Sequence, residues 1–269
     1  MEESRIMIDY SYIQEVLKEA GDIMKQHLKS CDIYVKGRAD FVTEADIKVQ
    51  QYIYSKLKEK YAEIGFVGEE ATEEKDINND GTTTKSCCWI LDPIDGTTNY
   101  IYGYNLSAIS LALKENGSII WGAVYNPFTE EMFTACKGKG AYLNGVVIKA
   151  SKKDQLADSL VAVGTSPYYK DMAEDVFGKI TEIFKVALDI RRTGSAALDL
   201  AYVACGRQEA YFEYNLKLWD YAAGAIILEE AGGVVCNAKG NSLVYDGGSD
   251  IVACCNEKIN AEMMNILNK

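Results

Sequence analysis

One histidine stands in a chain of 269 residues, and that scarcity excludes more chemistry than any other count. A triad built on imidazole, a histidine metal cluster and a second histidine proton shuttle are all out of reach, so any hydrolysis must run on carboxylates, hydroxyls, lysines or metal ions. His27 itself falls at helical spacing with Ile13, Leu17, Ala20 and Met24, which places it at the inward edge of a first helix. Proline is nearly as rare, with 3 residues, which argues against long irregular linkers. No C-x-x-C occurs among the 8 cysteines; Cys87-Cys88 and Cys254-Cys255 are adjacent pairs inside apolar runs and read as small buried residues, not as disulfide or zinc positions. The start carries no apolar signal segment and no later run is long enough to span a bilayer, so the expectation is a cytoplasmic protein with no membrane partner. Basic clusters are missing too, and a formal net charge of −12 repels a polyanionic backbone, which counts against nucleic acid as a partner.

What is present is globular usage, 48% hydrophobic and 25% charged, in a length near the upper limit for one hydrophobic core. The pattern predicts helices over Tyr10 to Lys29 and Glu44 to Tyr61, with a capping-box start at Thr43 and Asp46, then short strands at Ile64 to Val67 and Cys88 to Leu91 around a polar loop at 71–86. From Ser107 to Lys149 the period is near two, with turn signals at Asn116-Gly117, Asn126-Pro127 and Asn144-Gly145, as in an antiparallel meander. After Ser151 strands and helices alternate: strand Leu160 to Val163, helices at Met172 to Val186 and Ser195 to Cys205, strand Glu209 to Glu213, a helix at Trp219 to Ala231 and a last one near Lys258 to Leu267. This is α/β layering in one compact unit of two halves, 1–150 and 151–269.

Residues 89 to 99 read Trp-Ile-Leu-Asp-Pro-Ile-Asp-Gly-Thr-Thr-Asn, a short apolar strand that delivers Asp92 and Asp95 and runs into glycine and hydroxyl residues. Asp-Pro and Asp-Gly are ordinary turn dipeptides, and either alone would read as a turn. Together, at the end of a β-run and before a hydroxyl pair, they read as a metal and phosphate site: carboxylates are hard donors suited to Mg²⁺, and the backbone of Gly96, Thr97 and Thr98 offers N–H groups to an anion. Asp46, Glu69, Glu213 and Asp220 also fall at strand or helix ends, where a scaffold can aim them into one cleft. Asp46 and Asp220 could equally be helix-dipole partners, and Glu69 and Glu213 solvated strand termini.

Five segments resemble one family: Gly68-Glu69-Glu70; Asp92 through Asn99; Gly138-Lys139-Gly140-Ala141-Tyr142 with Asn144-Gly145; Gly194-Ser195-Ala196-Ala197; and Trp219-Asp220-Tyr221-Ala222-Ala223-Gly224 followed by Glu230-Ala231-Gly232-Gly233. The chain is similar to inositol monophosphatases, Mg²⁺-dependent and lithium-sensitive sugar phosphatases. The resemblance implies an alternating α-β-α-β-α sandwich, commonly a homodimer, that hydrolyses a phosphate monoester without a phosphoenzyme. It implies that Glu69, Asp92 and the carbonyl of Ile94 hold one Mg²⁺, that Asp92, Asp95 and Asp220 hold a second, and that a weaker third sits near Glu69. Thr97 with Glu69 would orient and activate the attacking water, Asp46 would hold the Thr97 hydroxyl, and the N–H groups of Gly96 and Thr97 would bind phosphate.

On the leaving-group side the resemblance assigns Glu213 to ring hydroxyls, Ala196 to a backbone contact and Ser166 to a substrate loop that also positions Lys36. A carboxylate suits neighbouring hydroxyls, which favours inositol monophosphate as substrate. Arg191, Arg192 and Lys217 lie near the same segments and could serve a second phosphate, as on fructose 1,6-bisphosphate, or be solvated surface. Tyr168-Tyr169 after Pro167 could line the pocket or cover the surface. Asn215 stands where glycine is common and Leu218 where many bacterial relatives have proline, so this wall departs from the usual pattern. A further alternative is a regulatory binding protein that keeps the fold, since some bacterial relatives contact the transcription machinery.

Overall fold

The computed structural model describes residues 7–28, 33–37, 40–70 and 85–269. Helix α1 (Tyr10–His27) is started by Asp9, whose carboxylate accepts the Tyr12 N–H, and buries Ile13, Val16, Leu17, Ala20 and Met24 on one face. A hairpin of β1 (Ile33–Gly37) and β2 (Asp40–Thr43), absent from the sequence reading, leads into α2 (Glu44–Lys60). The expected capping box is there: Asp46 Oδ2 accepts the Thr43 N–H at 2.8 Å, and the Thr43 hydroxyl oxygen accepts the Asp46 N–H at 3.4 Å. Most of the polar loop read over 71–86 lies outside the described residues, as do Cys31 and the Lys36 side chain. The other seven cysteines form no disulfide among the described residues, and Cys88, Cys236, Cys254 and Cys255 are buried.

The first sheet runs in chain order: β3 (Gly65–Gly68), β4 (Cys87–Asp95), β5 (Ala108–Glu115), β6 (Ser118–Asn126), β7 (Glu131–Cys136), β8 (Ala141–Leu143) and β9 (Val146–Ile148). Only β3 and β4 pair parallel; the rest is the expected meander, and Asn116-Gly117 and Asn144-Gly145 turn it with both residues at positive φ. Its strands are apolar on both faces. Trp89, Leu91, Ile109, Leu111 and Trp121 pack with α1 and α2, while Ile90, Ala112, Val124 and Phe133 join the other core. Helix α3 (Thr97–Tyr102) follows β4 directly.

The second sheet collects β10 (Leu160–Val163), β11 (Asp189–Arg191), β12 (Ala210–Leu216), β13 (Val234–Cys236) and β14 (Ser249–Cys254) in the order β11-β10-β12-β14-β13. Helices α5 (Ala196–Ala204) and α6 (Leu218–Glu230) lie between the two sheets, and α4 (Ala173–Val186) and α7 (Glu257–Leu267) close the far side. The layers are therefore α-β-α-β-α. Glu230 at the end of α6 fixes the turn before β8, its two carboxylate oxygens accepting the N–H groups of Gly138 at 2.7 Å and Gly140 at 2.8 Å. Among the described residues no helix is long and apolar enough to cross a membrane.

Candidate active site

The site gathers around the end of β4, the end of β3 and the starts of α2 and α6. Strand β4 extends past the sequence-read end at Leu91 and carries Asp92 and Asp95 inside it, with its register against β5 shifting between them. That irregularity turns both carboxylates toward the same region. Asp92 Oδ1 accepts the Ile94 N–H at 3.0 Å. Gly96 then adopts φ +87°, and a Cβ there would press on the carbonyl oxygens of Leu106 at 3.0 Å and Gly194 at 3.1 Å. Glycine is what lets the two halves close at this joint.

Each remaining acid is delivered by a different element. Glu69 follows β3, its N–H donating to the Leu91 carbonyl at 3.0 Å, and the Gln50 side chain of α2 bonds both the N–H and the carbonyl of Glu70. Asp220 sits in the first turn of α6, where its Oδ2 accepts the Lys217 N–H at 2.7 Å. The Thr97 hydroxyl donates to the Ile94 carbonyl at 3.0 Å and lies 3.4 Å from Asp46 Oδ1. The sequence reading thus has Asp46, Glu69, Asp92, Ile94, Asp95, Thr97 and Asp220 in one neighbourhood, and the structure brings them there from five elements.

Burial is the main force on these acids. Asp92 is held well above the usual carboxylate range first by burial, then by the charges of Glu69, Asp95 and Asp220. Burial likewise raises Asp220, with Asp95 and Glu69 adding to it, and pushes Asp46 up to about 6. Asp46, Asp92, Asp95 and Asp220 have no ion-pair partner among the described residues. Hard oxygen donors packed together without a counter-charge match a divalent cation such as Mg²⁺. No three of them already stand at one point as a cage among the described residues.

These shifts set a sign for pH. A carboxyl that holds its proton more tightly when folded contributes stability that is full below its unfolded value and is lost as pH rises through the folded one. Asp46 at about 6 and Asp199, another buried acid pushed up to about 8, place that loss between about pH 4 and about pH 8. The metal-free protein should melt at progressively lower temperature across that window, and Mg²⁺ should raise the melting temperature more at its alkaline end. Thermal scans in chelator with no decline toward alkaline pH would contradict this.

Glu213 on β12 forms the opposite wall. Its Oε1 accepts the Ser166 N–H at 2.9 Å and its Oε2 the Tyr211 hydroxyl at 2.6 Å. It lies directly over Gly164, where a Cβ would overlap the carboxyl. Burial raises its pKa, and the charge of Arg192 pulls the other way. Arg192 also reaches the Thr165 hydroxyl at 3.4 Å, whereas Arg191 is tied to Asp189 and to the Ile190 carbonyl, and Lys217 is exposed. Of the three cations, Arg192 is the one that bears on Glu213. Ser166 turns its own hydroxyl to the Tyr214 carbonyl at 2.8 Å, and Tyr168 is exposed. Asn215 has φ +57°, a left-handed conformation that explains why glycine is common there and why asparagine tolerates it. Leu218 is the first residue of α6, a position that suits proline equally well.

Ser195 and Asn99 stand in the sequence motifs without an assigned role, and Thr193 and Asp199 carry no local signal at all. Ser195 Oγ donates to Asp95, and the N–H groups of Ala197 at 2.8 Å and Ala196 at 3.3 Å donate to the same carboxylate. The N–H of Ala196, the residue expected to give substrate a backbone contact, is directed at Asp95. An open cleft of about 830 Å³ elsewhere, between α1 and β6 to β8, has its Lys18 and Lys25 already paired with Glu15 and Asp22 and contains none of the acids of the candidate site.

Residues 9–268 match the inositol monophosphatase family. Inositol monophosphatase 2 of Solanum lycopersicum is 38% identical over 259 residues, 95% of this chain and 96% of the relative. A protein of Xylella fastidiosa named Nus factor SuhB is 37% identical over 226 residues, 83% of this chain and 79% of its own. The Thermotoga maritima IMPase structure superposes with a TM-score of 0.86 at 31% identity, covering 96% of each chain.

Proposed function

The chain belongs to the inositol monophosphatase family, and from that premise we propose that it hydrolyses a phosphate monoester with Mg²⁺, with myo-inositol monophosphate as first-choice substrate. The observation that carries this reading is Asp92, buried on β4 and acted on by Glu69, Asp95 and Asp220 together. Glu69, Asp92 and the Ile94 carbonyl would hold one ion, Asp92, Asp95 and Asp220 a second, and a third would lie near Glu69. Bound Mg²⁺ would supply a Lewis acid that polarises the phosphoryl group and brings water to nucleophilic strength near neutral pH. The chain's own part is positional. Thr97 and Glu69 orient the attacking water, Asp46 fixes the Thr97 hydroxyl, and the N–H groups of Gly96 and Thr97 face the phosphate. We extend the reading to a cytoplasmic, lithium-sensitive homodimer. A panel of phosphate monoesters assayed with Mg²⁺ and again in EDTA tests it: turnover should appear only with the metal, and undiminished turnover in EDTA would overturn the mechanism.

Glu213 supports the inositol assignment, since a buried carboxylate with unused lone pairs accepts neighbouring hydroxyls. Glu213→Gln should raise KM for inositol 1-phosphate, because a neutral amide accepts those bonds less strongly. For fructose 1,6-bisphosphate the effect should be smaller or reversed, as removing a negative charge relieves repulsion of a second phosphate. A wild-type preference for the bisphosphate, lost in Arg192→Ala, would replace the inositol assignment. Similarity to proteins named Nus factor SuhB supports a second reading, a regulatory binding protein that keeps the fold; loss of a binding function in variants with intact hydrolysis would favour it.

A further inference from the structure

Asp95 leaves β4 in the first half of the chain, yet its carboxylate is held by the start of α5 in the second. Ser195 Oγ donates to Asp95 and accepts the Leu198 N–H at 3.3 Å, so one hydroxyl both caps the helix and orients the acid. Behind that turn stands a row of buried polar groups. Asp199, 2% exposed, accepts the Thr193 hydroxyl at 2.7 Å on one oxygen and the Gln208 side-chain amide at 3.2 Å on the other. The Thr193 hydroxyl oxygen in turn accepts the Ser195 N–H at 3.2 Å. The Thr193 carbonyl accepts the Asn99 side-chain amide at 2.8 Å, and the same amide nitrogen donates to the Leu106 carbonyl at 2.7 Å. Gln208 is buried as well and donates back to the Asp199 carbonyl at 2.8 Å.

We infer that Thr193 and Asp199 are positioning residues for Asp95, acting through Ser195 to aim its carboxylate into the divalent-cation site; the inference rests on the reading of Asp95 as a ligand. A buried acid beside other acids is a costly choice for packing alone, and an apolar residue would fill the volume with less strain. What the carboxylate of Asp199 adds is direction. It fixes the Thr193 hydroxyl, whose oxygen then faces the Ser195 N–H, and this holds the 193–195 turn in the one conformation that presents three donors to Asp95. Asn99 clamps the same turn to the segment after α3, so the aim is set against both halves at once.

The test uses the full chain and Mn²⁺ as the probe, followed by calorimetry and by electron paramagnetic resonance of the free ion, with turnover measured separately at saturating Mg²⁺. Thr193→Val and Asp199→Leu should weaken Mn²⁺ binding about 10 to 100-fold, the range for groups that orient a ligand from behind. KM for the phosphate monoester at saturating metal should change little. Thr193→Ser and Asp199→Asn keep a hydrogen-bonding group and should restore most of the affinity. Val203→Ala, a fully buried truncation on the same helix, should lower the melting temperature without moving Mn²⁺ affinity. If Thr193→Val binds Mn²⁺ as tightly as wild type, or if Val203→Ala weakens it as much, the positioning role is overturned and the functional reading stands. If wild type itself binds no Mn²⁺, both fall.

Discussion

Asp92→Asn should lower kcat/KM at saturating Mg²⁺ by more than the roughly 10 to 100-fold that perturbing an orienting contact costs. Asp92 is 3% exposed, and Glu69, Asp95 and Asp220 all act on it, so its charge belongs to every part of the proposed site. The same variant should not lose stability when metal-free. Asparagine keeps the oxygen that accepts the Ile94 N–H and removes a buried charge that burial and four neighbouring acids oppose, so the melting temperature in chelator should hold or rise. Parallel kinetics and thermal scans check both halves of this result. Activity within a few-fold of wild type would remove Asp92 from the site.

Thr97→Ala should lower kcat by about 10² to 10⁴-fold, the range for a positioned proton-handling group, while Mg²⁺ half-saturation stays near wild type. The Thr97 hydroxyl is directed at the Ile94 carbonyl and lies within reach of Asp46, so the methyl left behind in alanine cannot orient water. Replacing Asp46 by asparagine should produce a smaller loss of the same kind, because it loosens the hydroxyl without deleting it. Rapid-mixing kinetics at saturating metal separate this from weakened metal binding. Unchanged kcat in Thr97→Ala would refute the role of the hydroxyl and strengthen the regulatory reading.

The elements most legible in the sequence are those whose pattern is local. Helix α2 matches its reading to one residue because Thr43 and Asp46 cap each other, and the meander matches because Asn116-Gly117 and Asn144-Gly145 fix their turns without outside help. Strand β4 is longer than read, since Pro93 argues against a strand and only the shifted pairing with β5 accommodates it. The β1–β2 hairpin and β11 escape because segments of three to five residues bury too little to leave a period. At the site, the acids themselves were readable as residue types at element ends. Their supports were not: the contacts from Ser195 to Asp95 and from Asn99 to Thr193 join positions 100 and 94 residues apart, and nothing in the local sequence records them.

The placement of α5 and α6 between the sheets bears on how the chain must be made. The seven-stranded sheet is complete once residue 148 is synthesised, but the face carrying Ile90, Ala112, Val124 and Phe133 is covered only by helices that end at residues 204 and 230. Until then a growing chain displays a broad apolar surface, the kind of intermediate that invites aggregation and chaperone capture. The first half is thus a folding debtor to the second, and a fragment that stops near residue 150 should associate with itself where the whole chain does not.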